Sequence, residues 1–256
     1  MSTPSIMYAG SDQFACQPLE RMIAAGYRPK VVLTNPDRRS GRGRKITPTP
    51  VKALAQLHNI PTWTPLSIKD QTAFDIFKSY DIDLFICVAY GKIIPTRWLE
   101  NVDAFNIHPS LLPKWRGCSP VEHTLLYSDA VAGVSIIEMT AKVDAGNILF
   151  QQVCEIEPLD NTLTLGDRLF AEGSELLLET IKLWQLKKLP APIHQDEHKV
   201  TLAPKINKED ARINWTKTAE DLHAMIRAYY DWPIASTSIR GEMLKIYRSD
   251  IKEIST

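Results

Sequence analysis

The stretch FNIHPSLLPKWRG, residues 105–117, contains the polar groups that decide how this chain is interpreted. A short, mostly apolar run from Val102 to Phe105 leads into Asn106 and His108, which is typical of a buried strand that presents polar side chains at its end. In open α/β sheets, ligands bind beyond the carboxyl ends of the strands. The stretch therefore predicts a strand that ends at a ligand site.

A second stretch provides a partner for these polar groups. GVSIIEM (133–139) is typical of another buried strand, and the loop after it contains Asp144. The amide of Asn106 can donate a hydrogen bond to a developing oxyanion, and His108 can carry charge near neutral pH. Asp144 can orient the imidazole and favour its charged form. Together the three residues form a candidate acyl-transfer site.

Strand and helix patterns alternate along the first part of the chain. The run LFICVAY (84–90) is almost wholly apolar, as expected inside a parallel sheet. The alternation predicts an α/β fold with a doubly wound, mostly parallel sheet. Further strands are predicted at 5–10, 31–35 and 147–156, helices at 11–26, 50–58, 69–80 and 163–186, and a loop at 36–49.

The end of the chain has a different pattern. The prolines Pro190 and Pro192 indicate a linker, after which a helix is predicted over 218–230 and a hairpin turning at Arg240 and Gly241. We expect a catalytic domain at 1–189, a linker at 190–205 and a C-terminal domain at 206–256.

The composition excludes several classes of protein. The 256 residues are 44% hydrophobic and 23% charged, and their net charge is zero, which is ordinary for a globular protein. The cysteines are scattered singly, so neither a zinc site nor a redox motif is indicated, and we expect no metal. No signal peptide and no apolar run of the roughly 18 residues that span a bilayer is found, so the expected location is the cytoplasm. Nucleotide-binding glycine motifs are also absent.

Positive charge is concentrated in one short region, although the whole chain is neutral. A local basic patch can engage phosphates even in a neutral protein. Five positive side chains fall within eight residues of the predicted loop, namely Arg38, Arg39, Arg42, Arg44 and Lys45.

Three stretches give the chain a family resemblance. Residues 105–117, with Asp144 in VDAG, resemble the formyltransferases that use 10-formyltetrahydrofolate. NPDRRSGRGRKITPTPVKALA (35–55) resembles the basic loop of the members that act on tRNA, and APKINKEDARINW (203–215) resembles the start of their C-terminal domain. The resemblance covers nearly the whole chain and implies the formyltransferase fold followed by the start of a small β-barrel. Because the family usually continues for several more strands, that C-terminal domain is expected to be incomplete at Thr256.

The resemblance also implies an activity. It predicts formyl transfer from 10-formyltetrahydrofolate to the free α-amine of methionyl initiator tRNA, with Asn106 and a protonated His108 stabilising the oxyanion. Asp144 would hold His108 charged and help to relay a proton. The basic patch would contact the tRNA, with Arg42 nearest the acceptor end. Folate contacts are assigned to Val88, Tyr90, Gly91, Ile93, Met139 and the loop residues Ser110, Leu111, Leu112 and Pro113, of which the last four mainly shape the loop.

Other functions remain open at this point. A related enzyme could formylate a small amine, such as a nucleotide sugar or glycinamide ribonucleotide, or could hydrolyse 10-formyltetrahydrofolate. A noncatalytic tRNA- or folate-binding protein is the alternative from another class. The basic patch argues against a small substrate, and the complete set of Asn106, His108 and Asp144 argues against a pure binder. A monomer without membrane contact is expected.

Overall fold

The computed structural model describes residues 3–40 and 45–252. Thirteen strands are present in these ranges: β1 Ile6–Gly10, β2 Val31–Leu33, β3 Arg38–Ser40, β4 Lys45–Thr47, β5 Thr62–Trp63, β6 Leu84–Val88, β7 Asp103–His108, β8 Arg116–Gly117, β9 Ala132–Glu138, β10 Ile148–Cys154, β11 Leu202–Ala203, β12 Ser236–Ile239 and β13 Glu242–Lys245. The α-helices of the same ranges are α1 Cys16–Ala24, α2 Pro50–Leu57, α3 Gln71–Ser79, α4 Thr96–Leu99, α5 Pro120–Leu126, α6 Thr162–Gln185 and α7 Ala219–Ala228.

A seven-stranded sheet in the order β10-β9-β7-β6-β1-β2-β5 forms the centre of the molecule. The strands from β7 to β5 are parallel, whereas β9 runs antiparallel to both β7 and β10. Every residue of β1 and β6 is buried, because apolar clusters cover both faces of the sheet. The doubly wound, mostly parallel sheet predicted from the sequence is confirmed.

The first predicted helix, 11–26, is irregular at its start, as Pro18 within the pattern leads one to expect. Asp12 accepts a hydrogen bond from the backbone of Phe14 and caps a short 3-10 turn, and α1 starts only at Cys16. Pro18 therefore lies in the first turn of α1, where a missing N–H removes no intrahelical hydrogen bond. The helical pattern correctly identified the element, and the proline displaced its start.

Two other regions differ from the prediction. The predicted loop at 36–49 contains the antiparallel pair of β3 and β4, in which Arg38 lies opposite Thr47. Helix α5 was not predicted, although Pro120 in its first turn is a recognised start signal. The helix has only seven residues, and its polar His123 and Thr124 are buried, so polarity along it does not follow exposure with a helical period.

The segment 190–205, predicted as a linker, lies against the central fold. The backbones of Ile193 and Ile148 exchange two hydrogen bonds of 2.8 Å, and β11 pairs in parallel with β8. Beyond it, α7 packs on α5. Strands β12 and β13 form the predicted hairpin, with Arg240 and Gly241 at φ 51° and 84° in its turn.

Candidate active site

Strand β7 positions two of the predicted functional residues. Asn106 and His108 are two residues apart and so share one face of the sheet, whereas Phe105 and Ile107 point into the main apolar core on the other face. Asn106 lies between the neighbouring strands β6 and β9. The alternation of this strand therefore separates the polar site from the core.

Asp144 reaches the same place from the loop between β9 and β10. Its Oδ2 accepts a 2.9 Å hydrogen bond from the backbone N–H of Gly117. Its Oδ1 lies 3.4 Å from Asn106 Nδ2, and its Oδ2 lies 3.6 Å from His108 Nδ1. The structure thus brings the three predicted residues together.

The two ring nitrogens of His108 have different surroundings. Nε2 lies 2.8 Å from the carbonyl oxygen of Trp115, and because a carbonyl can only accept, Nε2 donates its hydrogen there. Nδ1 faces Asp144 at 3.6 Å, which is longer than a hydrogen bond. His108 is only 3% exposed, so a proton on Nδ1 would place a buried cation beside the carboxylate of Asp144. The Nδ1–H of the ring would then be available to a ligand.

The loop from Pro109 to Gly117 is held by a hydrogen bond within the loop and by another from β10. Ser110 Oγ donates to the carbonyl of Lys114 at 2.6 Å, and Gln151 Nε2 donates to the carbonyl of Leu112 at 2.9 Å. Gly117 has a φ of 127°, and a Cβ there would lie 2.5 Å from the carbonyl oxygen of Ala203. Glycine is therefore required at the position whose N–H binds Asp144.

The predicted folate residues fall into buried and exposed groups. Val88, Ser110 and Leu112 are at most 3% exposed as whole residues, so they shape the walls of the site rather than form its surface. Ile93 is 63% exposed. Tyr90 is buried in an apolar cluster against which Met139 packs, half-buried. Among the other predicted contacts, Leu111 and Pro113 are half-buried and Gly91 has a φ of 80°.

Cys87 is a neighbour of the site that the sequence did not reveal. It lies opposite Asn106 on β6 and is buried. Burial, with a further contribution from the charge of Asp144, raises the pKa of the Cys87 thiol to about 12. The group therefore stays protonated near neutral pH and is not a nucleophile.

The basic residues of β3 and β4 are exposed next to this face. Arg38, Arg39 and Lys45 extend into solvent, whereas Arg42 and Arg44 lie outside the described residues. Burial lowers the pKa of Lys92, and the charge of Arg38 lowers it further. Asn35, three residues before β3, donates a 2.8 Å hydrogen bond to the carbonyl of Tyr90, so the base of this hairpin lies close to the segment 88–95 that follows β6.

Gln195 and Arg116 were not predicted as functional residues. Gln195 is 3% exposed and donates to the carbonyls of Asp144 and Gly146 at 2.9 and 2.7 Å. Its Oε1 accepts a 2.9 Å hydrogen bond from Arg116 Nε. A glutamine in a proline-rich stretch gives no sequence signal of such a role, whereas Arg116 belongs to the decisive stretch 105–117.

Within residues 3–40 and 45–252, no group of at least three His, Cys, Asp or Glu side chains is arranged to hold a metal ion. Across the same ranges, none of the helices is long and apolar enough to cross a membrane.

Structures with the same fold are known. A sugar N-formyltransferase from Shewanella sp. FDAARGOS_354 matches with a TM-score of 0.74 and 17% identity over 99% of this chain and 100% of its own. A 4-N formyltransferase from Francisella tularensis matches with a TM-score of 0.76 and 16% identity over 98% and 99% of the two chains. At these identities the likeness concerns the fold.

Sequence comparison gives a closer assignment. Methionyl-tRNA formyltransferase of Methylococcus capsulatus is 40% identical over 96% of this chain and 80% of its own length. The enzyme of that name from Hydrogenovibrio crunogenus is 37% identical over 98% and 81%. The family models "Formyl transferase" and "Formyl transferase, C-terminal domain" match residues 11–181 and 205–256. The chain therefore belongs to the formyl transferase family.

Proposed function

We propose that this protein transfers the formyl group of 10-formyltetrahydrofolate to the free α-amine of methionyl initiator tRNA. The observation that carries the proposal is the meeting of Asn106, His108 and Asp144 at the carboxyl end of β7. The exposed basic hairpin beside this site supports an RNA substrate. The relatives at 37–40% identity, which are named for this activity, support it further.

The first half of the reaction creates negative charge on oxygen. The neutral amine attacks the formyl carbon, a C–N bond forms, and the electron pair of the C=O bond moves to the oxygen. The side-chain amide of Asn106 and the Nδ1–H of a protonated His108 donate hydrogen bonds to this oxyanion. In this role the carboxylate of Asp144, 3.6 Å from Nδ1, lies beside the positive charge of the ring.

The second half moves a proton. The attacking nitrogen must lose a proton and the departing folate nitrogen must gain one before the second C–N bond breaks. Asp144 assists this transfer through a water molecule, and the electron pair of the oxyanion restores the C=O bond as tetrahydrofolate leaves. No covalent intermediate with the protein is required, because the folate carries the activated carbon.

The co-substrate is held by backbone groups in this proposal. The segment 88–93 and the loop that begins at Met139 follow strands on either side of β7, and we assign their backbone N–H and C=O groups to the pterin ring. Such a ring is planar and rich in hydrogen-bonding groups, so it suits a narrow cleft with backbone donors and acceptors. The loop of Ser110 to Pro113 shapes one side of this cleft.

The test is a substrate comparison with purified protein and 10-formyltetrahydrofolate. Methionyl initiator tRNA, methionyl elongator tRNA and a dTDP-linked amino sugar are offered separately. We expect rapid formylation of the initiator tRNA, insensitive to EDTA, and little product from the amino sugar. Preferred formylation of the sugar would replace the proposal with a small-amine formyltransferase. Release of formate without an acceptor would replace it with a hydrolase.

Location, assembly and domain division belong to the same proposal. Formylation of initiator tRNA precedes translation initiation, so we place the protein in the cytoplasm, where its free cysteines suit a reducing environment. We propose a monomer, since the site is assembled from one chain, and sedimentation velocity tests this. We place the catalytic domain at 1–189 and the C-terminal domain at 206–256.

A further inference from the structure

The segment 193–203 runs across both loops of the proposed catalytic site. On one side, the hydroxyl of Thr201 accepts a 2.9 Å hydrogen bond from the backbone N–H of Trp115. The carbonyl of Thr201 accepts a 3.0 Å hydrogen bond from the backbone N–H of Arg116. On the other side, Ile193 pairs with Ile148 at the start of β10. We call this segment the strap. It joins the loop that binds His108 to the loop that contains Asp144.

Gln195 is the most buried polar residue of the strap, and both its amide nitrogen and its amide oxygen have hydrogen-bond partners. Its amide nitrogen has two hydrogens, which go to the carbonyls of Asp144 and Gly146, and its oxygen accepts from Arg116. Because the side chain is 3% exposed, water cannot replace these bonds easily. A buried amide with three partners has only one orientation available.

The loop that Gln195 binds needs such support. Asp144 has a φ of 51°, a left-handed conformation that is unfavourable for a residue with a side chain. Gly146 is packed so closely that a Cβ there would lie 1.7 Å from the carbonyl oxygen of Glu138. Strained backbone of this kind persists where neighbouring groups hold it.

The side-chain oxygen of Gln195 is held by a group of charged residues. The guanidinium of Arg116 is 3% exposed and donates to Gln195 and to Glu197 Oε1, both at 2.9 Å. Glu197 Oε2 binds Lys142 at 2.9 Å, and Lys142 precedes Asp144 in the same loop. Hydrogen bonds from Arg116 and Lys142 lower the pKa of Glu197 to about 2, so this carboxylate remains charged over the physiological range.

We propose that Gln195 is a positioning residue that sets the distance between Asp144 and His108, with Arg116 as its anchor. This inference rests on the proposed catalytic role of that pair. Because Asp144 and His108 are 3.6 Å apart without a direct hydrogen bond, their separation depends on what holds each loop. A small displacement of a catalytic group can reduce the rate substantially.

The test replaces Gln195 with methionine, which keeps the length of the side chain and removes its polar atoms. For Gln195→Met we expect kcat to fall by roughly tenfold to a hundredfold. The KM for 10-formyltetrahydrofolate should change less than kcat, because the other segments assigned to folate, 88–93 and 110–113, lie outside the loop that Gln195 holds. The matched control is Gln152→Met, the same change at an exposed glutamine of β10, which should leave kcat unchanged.

A second measurement separates positioning from activity. The imidazole signals of His108, identified with His108→Ala, are compared by ¹⁵N NMR in wild type, Gln195→Met and Gln152→Met. We expect them to shift in Gln195→Met only. If the wild type forms no formylated tRNA, the proposed function fails, and the NMR comparison still decides this inference.

Two results would overturn the inference. One is a folded Gln195→Met protein with wild-type kcat, and the other is an unchanged His108 signal. If the methionine variant does not fold, Gln195→Glu serves instead. The glutamate keeps the acceptor for Arg116 and lacks both donors to the Asp144 loop, so the same loss of kcat and the same shift are expected. Wild-type values in that variant would likewise contradict the role.

Discussion

The proposed catalytic cluster and the basic hairpin are built in opposite ways. Asn106, His108 and Asp144 are largely withdrawn from water and held by backbone groups and by Gln195. Arg38 and Arg39 extend from a two-stranded hairpin into solvent. A buried polar network depends on each of its members, whereas exposed charges act through their sum. Single substitutions should therefore have large effects in the cluster and modest effects in the hairpin.

The largest effect is expected at His108. In His108→Ala the charged donor to the oxyanion is lost, so turnover should fall by at least about a hundredfold, as for a removed oxyanion-hole donor. The KM values for folate and tRNA should change little, because the lost interaction strengthens only in the transition state. Steady-state kinetics with both substrates measures this. A variant with near-normal turnover would mean that His108 takes no part in formyl transfer.

Gly117 tests whether the backbone frame of the cluster is rigid. In Gly117→Ala the new Cβ would meet the carbonyl of Ala203 at 2.5 Å, and the positive φ of 127° adds strain. We expect a loss of about 2–3 kcal/mol in the free energy of unfolding. Activity should also fall, since the N–H that binds Asp144 must move.

The control for this substitution is Gly241→Ala in the β12–β13 turn. Gly241 has a φ of 84° but nothing within 4 Å of its added Cβ, so only the backbone strain remains. Its cost should be smaller, about 1 kcal/mol. Urea unfolding of both variants compares them. Equal losses would mean that the contact with Ala203 adds no cost, because the backbone around Gly117 shifts to accommodate the new Cβ.

The hairpin should respond less to substitution and in a different way. In the double variant Arg38→Ala and Arg39→Ala, the KM for tRNA should rise several-fold. The slope of the logarithm of tRNA affinity against the logarithm of salt concentration should fall by the amount that about two phosphate contacts contribute. The KM for folate should not change. Arg21→Ala removes an exposed arginine of α1 that lies 3.7 Å from Glu175, and it serves as the charge control. If both proteins bind tRNA equally, the hairpin has no part in recognition.

The smallest effect concerns Glu122, a largely buried carboxyl of α5 outside both regions. Burial, with the nearby charge of Asp12, raises the pKa of Glu122 to about 7. The folded protein therefore binds a proton that the unfolded chain releases near pH 4.5, and this stabilisation is lost as the pH rises towards 7. Glu122→Gln should stabilise the protein at pH 8 by on the order of 1 kcal/mol, after discounting for solvent screening, and by almost nothing at pH 4. Denaturant unfolding at the two pH values measures the difference. An equal effect of the substitution at both would contradict a raised pKa of Glu122 as its cause.

The sequence predicted the parts of the molecule that have strong local patterns. The apolar runs of β1 and β6 and the turn of Arg240 and Gly241 could be recognised because each has a composition that fits one structure. Asn106, His108 and Asp144 could be singled out because their residue types suit one chemistry and follow predicted strands. The comparison with known formyltransferases then confirmed the family.

Other features depend on contacts between distant parts of the chain. Gln195 lies 51 residues after Asp144, and no periodic pattern connects them. The 3-10 turn before α1 is set by Asp12 and Pro18, which compete with the helical pattern around them. The strap was predicted as part of a linker because Pro190 and Pro192 precede it, but hydrogen bonds to Arg116 and Ile148 hold it on the fold. Such contacts are properties of the assembled structure.

The most direct test of the account is a single-turnover measurement on Asp144→Asn. The variant keeps the size of the side chain and removes the negative charge beside His108. Enzyme in excess, loaded with 10-formyltetrahydrofolate, is mixed with methionyl initiator tRNA, and formyl-methionyl-tRNA is followed with time. The account predicts rapid formylation by the wild type and a rate at least about a hundredfold lower in the variant, with both substrates still bound. Equal rates in the two proteins would contradict the central claim.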